Sequence, residues 1–377
     1  MRARVTLLAC IGLVSAWSGA AAQEVRSETR LSTFSFGSAG EMQADQVQLA
    51  TSTFSVGWSR GPVSLVGQGA VARGIATLGG EGFSEISGLT DATIRVTGQL
   101  GNLAATGIAI LPTGEATHAI EDILVLGVMN SDLLPFPVTR WGSGGGQGAA
   151  LTYDVRGAST QVRVGGAYLL PGEHSFLEGE SITFRPGREL QITAAMAARF
   201  GDGVLTASAA LHESQADEYG GVNLYQSGRR VALGAGIAHP LGARESVRVH
   251  ATLTSREEGV VRTLTEFQAG RLLPGVAGAD SRSFTTLEMT LLVDRGRASF
   301  VPELGLRRLT TASGIGNGWL ATLGVASDVR VVGGAWGRGV TLSPRVTGHY
   351  GSHAGVPSGS RRIVGWEVGL GITWGRR

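Results

Sequence analysis

The chain has a single cysteine, Cys10, no lysine, and only 6% aromatic and 16% charged residues. Cys10 lies in a stretch that reads as a cleaved leader, so the rest of the chain has no thiol. This excludes a disulfide frame and a cysteine metal site. A lipid-anchored N-terminus would need a cysteine directly after the cut, where Gln23 stands. Every basic side chain is an arginine. The base composition of a genome can produce that bias, so no function follows from it.

Long hydrophobic runs are also missing. Beyond Trp17 no apolar stretch approaches the roughly 20 residues of a spanning helix. A backbone crossing a membrane satisfies its hydrogen bonds either as helix or as closed sheet, so a membrane form of this chain has to be a barrel. No basic block interleaves with aromatics, which excludes a nucleic-acid footprint. The formal charge of +2 comes from Arg2 and Arg4, and the rest of the chain is balanced.

The first 22 residues carry Arg2 and Arg4, an apolar run from Val5 to Trp17, and Ala20-Ala21-Ala22 before Gln23. A basic start, a short apolar middle and small residues before a cut form the pattern of a secretory signal peptide. Residues 23–377 then form one exported domain.

Glycine is abundant, 59 of 377 residues, against a usual share of about 7%. It accompanies a period-two alternation that repeats along the chain. Ala92, Ile94, Val96, Gly98 and Leu100 alternate with Thr93, Arg95, Thr97 and Gln99. Leu190, Ile192, Ala194, Met196 and Ala198 alternate with Gln191, Thr193, Ala195, Ala197 and Arg199. Trp366, Val368, Leu370, Ile372 and Trp374 oppose Glu367, Gly369, Gly371 and Thr373. Successive strand side chains point to opposite faces, so each segment has one apolar and one wet side. The segments run about 9–12 residues, the length of a tilted membrane strand, whereas soluble strands average about 5–6.

The connections alternate in length. Ser59-Arg60-Gly61, Arg156-Gly157-Ala158, Gly201-Asp202-Gly203 and Asp294-Arg295-Gly296 read as tight hairpin turns. Between them fall long links near 74–91, 112–146, 170–187, 214–228, 257–281 and 351–362. Short turns on one rim and long loops on the other is the layout of an outer-membrane barrel. The fold class is therefore all-β, a transmembrane antiparallel up-and-down β-barrel of about 14–16 strands. Sixteen placements leave both termini on the periplasmic rim. Two places strain the count. Val47 and Leu49 are out of step with Phe54, Val56 and Trp58, and residues 260–270 offer a further strand.

The link 112–146 departs from the pattern. Thr117 to Met129 reads as a short helix with Ile120, Ile123, Leu124 and Val128 on one face and Thr117 as its cap. It either packs over the rim or folds into the lumen as a constriction.

The wet faces hold the candidate functional residues: Arg95, Asp154, Arg156, Arg163, Arg199, Arg248, Glu288, Glu303, Arg330, Arg345 and Glu367. An arginine at mid-membrane on the lipid side would cost about 2–4 kcal/mol, so these residues belong inside or near a rim. They either pair with one another to fill the lumen or line a permeation path. Their mixed signs predict weak charge selectivity, because a ring of one sign is what selects ions.

No catalytic machinery is expected. His349 shares a wet face with Ser343, but no Gly-x-Ser-x-Gly elbow stands between strand and helix. His349 and His353 are four apart on a segment that does not read as helix, and the glycine run 142–146 lacks a P-loop lysine. Neither a metal nor a cofactor is expected. Aromatics such as Trp58, Tyr168, Phe200, Trp366 and Trp374 fall near strand ends, as an interfacial girdle requires, though 6% is thin for one.

Several segments also carry a resemblance. Gly88-Leu89-Thr90-Asp91-Ala92 leads into Thr93-Ile94-Arg95-Val96, and Ile110-Leu111-Pro112-Thr113-Gly114 and Arg140-Trp141-Gly142-Ser143-Gly144-Gly145 follow. Leu342-Ser343-Pro344-Arg345-Val346 and Gly365-Trp366-Glu367-Val368-Gly369-Leu370 close the series. In these pieces the chain resembles the outer-membrane transporter-like family of the phenol meta-cleavage pathway, similar in architecture to long-chain fatty-acid transporters. The resemblance implies a passive channel for small, rather hydrophobic or aromatic compounds and transfers no catalytic residue. The chain departs from that architecture in two respects. Only about seven residues precede the first expected strand, too few for a plug. The chain also ends on Trp374-Gly375-Arg376-Arg377 and not on an aromatic.

The reading is an outer-membrane porin or transporter-like channel, with membrane lipid, the barrel assembly machinery and a small solute as partners. Two rivals stand beside it. One is a structural or surface-binding barrel with a filled lumen, whose loops 112–146 and 257–281 meet partners. The other is a soluble exported β-sandwich.

Overall fold

The structure is a computed structural model that describes residues 24–37, 44–78, 82–119, 122–129, 133–175, 177–179, 181–261, 281–311, 317–331, 339–355 and 359–375. The chain begins with β1 (Glu24–Phe36), β2 (Ala44–Arg60), β3 (Val63–Leu78), β4 (Gly82–Leu89), β5 (Ala92–Leu100) and β6 (Leu103–Leu111). The helix α1 (Asp122–Met129) follows, then β7 (Gly146–Arg156), β8 (Thr160–Pro171), β9 (His174–Ser175) and β10 (Thr183–Arg185). Next come β11 (Glu189–Phe200), β12 (Gly203–Ser214), β13 (Asp217–Tyr219), β14 (Val222–Gln226), β15 (Arg230–Pro240) and β16 (Glu245–Arg256). The chain closes with β17 (Val260–Val261), β18 (Arg282–Asp294), β19 (Ala298–Thr311), β20 (Gly318–Val331), β21 (Gly339–Gly355) and β22 (Gly359–Gly375).

Each long strand pairs antiparallel with its neighbours in chain order, and β1 pairs with both β2 and β22. Sixteen strands thereby seal into a cylinder. Closure removes the unpaired edges that an open sheet would expose. The tight turns of the sequence are present, and Gly61 and Gly201 take the positive φ (57° at each) that such hairpins demand. Glu24 opposes Gly375, so both ends of the described chain lie at the rim of short turns.

Contacts that skip a strand identify the concave side. Arg345 on β21 reaches past β20 to Glu303 on β19. The opposite parity carries the exposed apolar residues, among them Trp366, Val368, Leu370 and Ile372 on β22 and Leu190, Ile192 and Met196 on β11. No helix of the described residues is long and apolar enough to cross a membrane.

Several expectations are corrected. The first strand starts at Glu24 and not near residue 30. The link 74–91 is not a loop. The lower half of β3 pairs with β5, and its upper half continues beside β4. The mismatch in 46–58 is not a change of parity, since β2 keeps one register with β3 from Gln46 to Arg60. What changes there is the surroundings. Val47 and Leu49 face inward and are fully buried, while Gln48 and Ser52 take the outer side. The outward Arg73 on β3 forms a two-bonded pair with Glu85 on β4, at 2.7 and 2.8 Å. In this quadrant the wall rises past the apolar belt, wet outside and greasy inside. Of residues 260–270 only Val260–Val261 is a described strand. It joins a small sheet in the order β17-β14-β13-β10-β9, built from the long links.

Candidate functional site

The greasy inner surface of that quadrant is covered by the link between β6 and β7. Val125 and Met129 of α1, then Leu133, Leu134, Phe136, Val138 and Trp141, form one buried cluster with Phe34, Val47, Leu49, Ala72, Ile86, Leu309, Leu320 and Ile363. Phe136 meets Phe34 edge-on at 5.2 Å. Leu133 lies where a side chain on Gly318 of β20 would collide. The link therefore runs inside the barrel from the β2–β4 wall to the β19–β20 wall.

Of the expected helix residues, Val128 packs against this cluster. Ile123 and Leu124 belong to α1, and Ile120 lies outside the described residues. The buried face includes Val125 and Met129, which were not singled out. The helix starts at Asp122 and not near Thr117. Thr117 does not cap it, because its hydroxyl donates to the Ser175 carbonyl at 2.8 Å.

A knot of three short segments fixes the root of the link. At the junction of β4 and β5, the Asp91 carboxylate accepts from the Gly114 amide (3.0 Å), the Ser143 amide (2.8 Å) and the Ser143 hydroxyl (2.7 Å). The Asp91 amide donates to the Trp141 carbonyl at 3.0 Å. Thr113 accepts from the Ala92 amide and donates to the Thr90 carbonyl, at 2.8 and 2.9 Å. The Trp141 ring nitrogen donates to the Ala72 carbonyl at 3.0 Å. Backbones approach so closely that a side chain on Gly114 would stand 2.0 Å from the Trp141 carbonyl, and one on Gly142 2.6 Å from Glu115. Asp91 was not among the candidate residues. Its signal lay in the strings 88–92, 110–114 and 140–145, which meet here.

A second contact ties the link to its neighbour. The Glu178 amide donates to the His118 carbonyl at 3.0 Å. His118 is buried, and burial, its main influence, pushes its pKa down against the pull of Asp122, Glu115 and Glu178. His174 on β9 is also pushed down, first by burial, with His118 and Arg140 adding to the effect and Asp91 opposing it.

The eleven expected charged residues all stand on the inward parity. The bidentate pair Arg163–Asp154 closes at 2.7 and 2.9 Å. Arg345 holds both oxygens of Glu303 at 2.8 and 2.9 Å. Glu367 accepts from Arg30 (3.4 Å) and Ser32 (3.1 Å), and Arg30 also bonds Glu28 at 2.7 Å. Glu288 is within electrostatic reach of Arg307. Arg95, Arg156, Arg199, Arg248 and Arg330 make no ion pair among the described residues. Ser343 donates to Asp328 at 2.5 Å, and His349 bonds Thr322 at 3.1 Å, so the structure does not bring Ser343 and His349 together as a pair. Between the inserted link and the turn end lies a cavity of about 670 Å³, bordered by Arg26, Glu28, Thr93, Val138, Arg140 and Ser343.

No protein-family profile matches the chain, and no curated protein matches it. Solved structures of similar outline include the outer membrane channel DcaP of Acinetobacter baumannii, at 10% identity and TM-score 0.43, covering 94% of this chain and 98% of that one. OpdK of Pseudomonas aeruginosa, solved with vanillate, gives 12% identity and TM-score 0.42 over 93% and 98%. A loop-deletion form of OmpT of Vibrio cholerae gives 11% and 0.40 over 93% and 99%.

Proposed function

We propose that this protein is an outer-membrane channel for the passive passage of small compounds, exported by a leader over residues 1–22. The observation that carries the reading is the division of the closed sheet into two surfaces. One is an exterior belt of exposed apolar side chains, and the other an interior that carries arginine, carboxylate and hydroxyl groups below the inserted link. Apolar side chains exposed around a whole cylinder need a lipid surround. Ion pairs on its concave side favour water there, since charges are costly to bury without it. The inserted link narrows this space without being its only content, because a cavity remains beside it.

The solute reading tilts towards small apolar or aromatic compounds and rests on the resemblance of residues 88–96, 110–114 and 140–145. The lumen-facing charges are then the permeation lining, and bilayer lipid and the assembly machinery are the partners. Refolded protein in planar bilayers is expected to give discrete conductance steps. A protein that inserts, shows heat-shifted gel mobility and yet never conducts would leave the filled structural barrel in place of the channel.

A further inference from the structure

Mixed charge on the wet faces predicted weak selectivity, but pairing in the structure leaves more arginines than acids unpaired at the short-turn end. We propose that the lumen near the short turns is a cationic belt and that the channel favours small anions. This rests on the channel reading above.

The belt consists of Arg95 on β5, Arg156 on β7, Arg199 on β11, Arg248 on β16 and Arg330 on β20. Each stands on the inward parity within six residues of the turn end of its strand. All five are exposed, and none makes an ion pair among the described residues. They are spread around most of the circumference, so a solute leaving or entering by this end passes between them.

Several acids at the same end are already engaged. Glu24 bonds Arg26, Asp154 is chelated by Arg163, and Glu245 faces Arg295 at 3.6 Å. Asp328, held by the Ser343 hydroxyl, and Glu288, six residues from the turn end of β18, make no ion pair among the described residues. Asp202 sits in a turn and Asp294 ends β18 on the inward parity, while Arg60, Arg244 and Arg297 stand at or beside the turns of the same rim. The excess charge is therefore positive on the lumen wall and is not reversed at its mouth. Unpaired like charges in a narrow, low-dielectric-walled passage focus a field that concentrates counter-ions. A ring of one sign selects by that field.

Full-length protein refolded into a planar bilayer under a KCl gradient tests the belt. The reversal potential is expected on the chloride side, with chloride at least about twice as permeant as potassium at low salt. Selectivity should fade towards 1 M salt, because the screening length drops from about 30 Å at 0.01 M to about 3 Å. The R199Q/R248Q double variant should move the reversal potential towards zero, and R199K/R248K should restore it. Conduction with reversal at zero or on the potassium side overturns the belt alone. So does an unmoved reversal potential in R199Q/R248Q. No conductance at all overturns the channel reading and the belt together. The salt series on the unaltered chain decides the matter even if a variant does not fold.

Discussion

At the scale of single residues, the side chain with most consequence is Asp91. It accepts three hydrogen bonds from two segments that lie more than twenty residues apart from it and from each other. Hydrogen bonds to a charged acceptor are worth about 1.5–3 kcal/mol each, so Asp91→Ala is expected to release the root of the inserted link. In bilayers the variant should show larger or noisier steps than the parent, with heat-shifted mobility retained. Steps of unchanged size and stability would mean the link is held by its apolar cluster alone. Trp141→Ala empties a fully buried site at a cost of about 3–5 kcal/mol. Limited proteolysis should then cut within 112–145 while the barrel stays intact.

Neither residue was recognisable by type. A lone Asp before a strand and a lone Trp before glycines are ordinary. Only the meeting of three strings distant in sequence reveals the knot, and one sequence does not record that meeting. The charged lumen residues were legible, because alternation alone assigns them to a face. Their partners were not, since pairing depends on registers across several strands.

At the scale of elements, the inserted link behaves as a separate unit docked on the wall and on the neighbouring loop. Its apolar face explains why β2 looked out of register. Val47 and Leu49 follow the same parity as the polar inward positions below them, but they meet α1 and residues 133–141 where those meet water. Periodicity reads the side of a strand correctly and cannot say what occupies the far side. The helix boundary was misread because Thr117 is spent on Ser175.

Removing residues 117–129 should raise conductance, and unchanged steps would deny the helix any share in the constriction. Docking to the loop at His118 and His174 should also be acid-sensitive. Burial lowers both pKa values from the ordinary 6.5, so the released state binds protons more readily than the docked one. The docking contribution is therefore whole above about pH 6.5 and lost as pH falls below it. Proteolysis of the link at pH 5 should outpace that at pH 7.5, and H118Q/H174Q should flatten the difference.

At the scale of the whole molecule, the cylinder was the most legible feature. Strand length, dyad alternation and alternating loop length each pointed to it independently, and consistency across levels is what specifies a fold. The extra strand β4 and the five-stranded sheet of the long links were hidden, because short strands in turn-rich sequence carry too few residues to show a period. The central claim is that neighbouring positions of one strand face lipid and water in turn. The chain beyond residue 22 has no cysteine, so single cysteines placed one at a time from 364 to 374 on β22 can carry a spin label in the refolded, bilayer-inserted protein. Positions 364, 366, 368, 370 and 372 are expected to collide with oxygen dissolved in lipid. Positions 369, 371 and 373 are expected to collide with a water-soluble nickel complex, out of phase with the oxygen profile, while 365 and 367, buried against Phe34 and Ser32, are expected to meet little of either. Profiles in phase, or nickel access at every position, would contradict it.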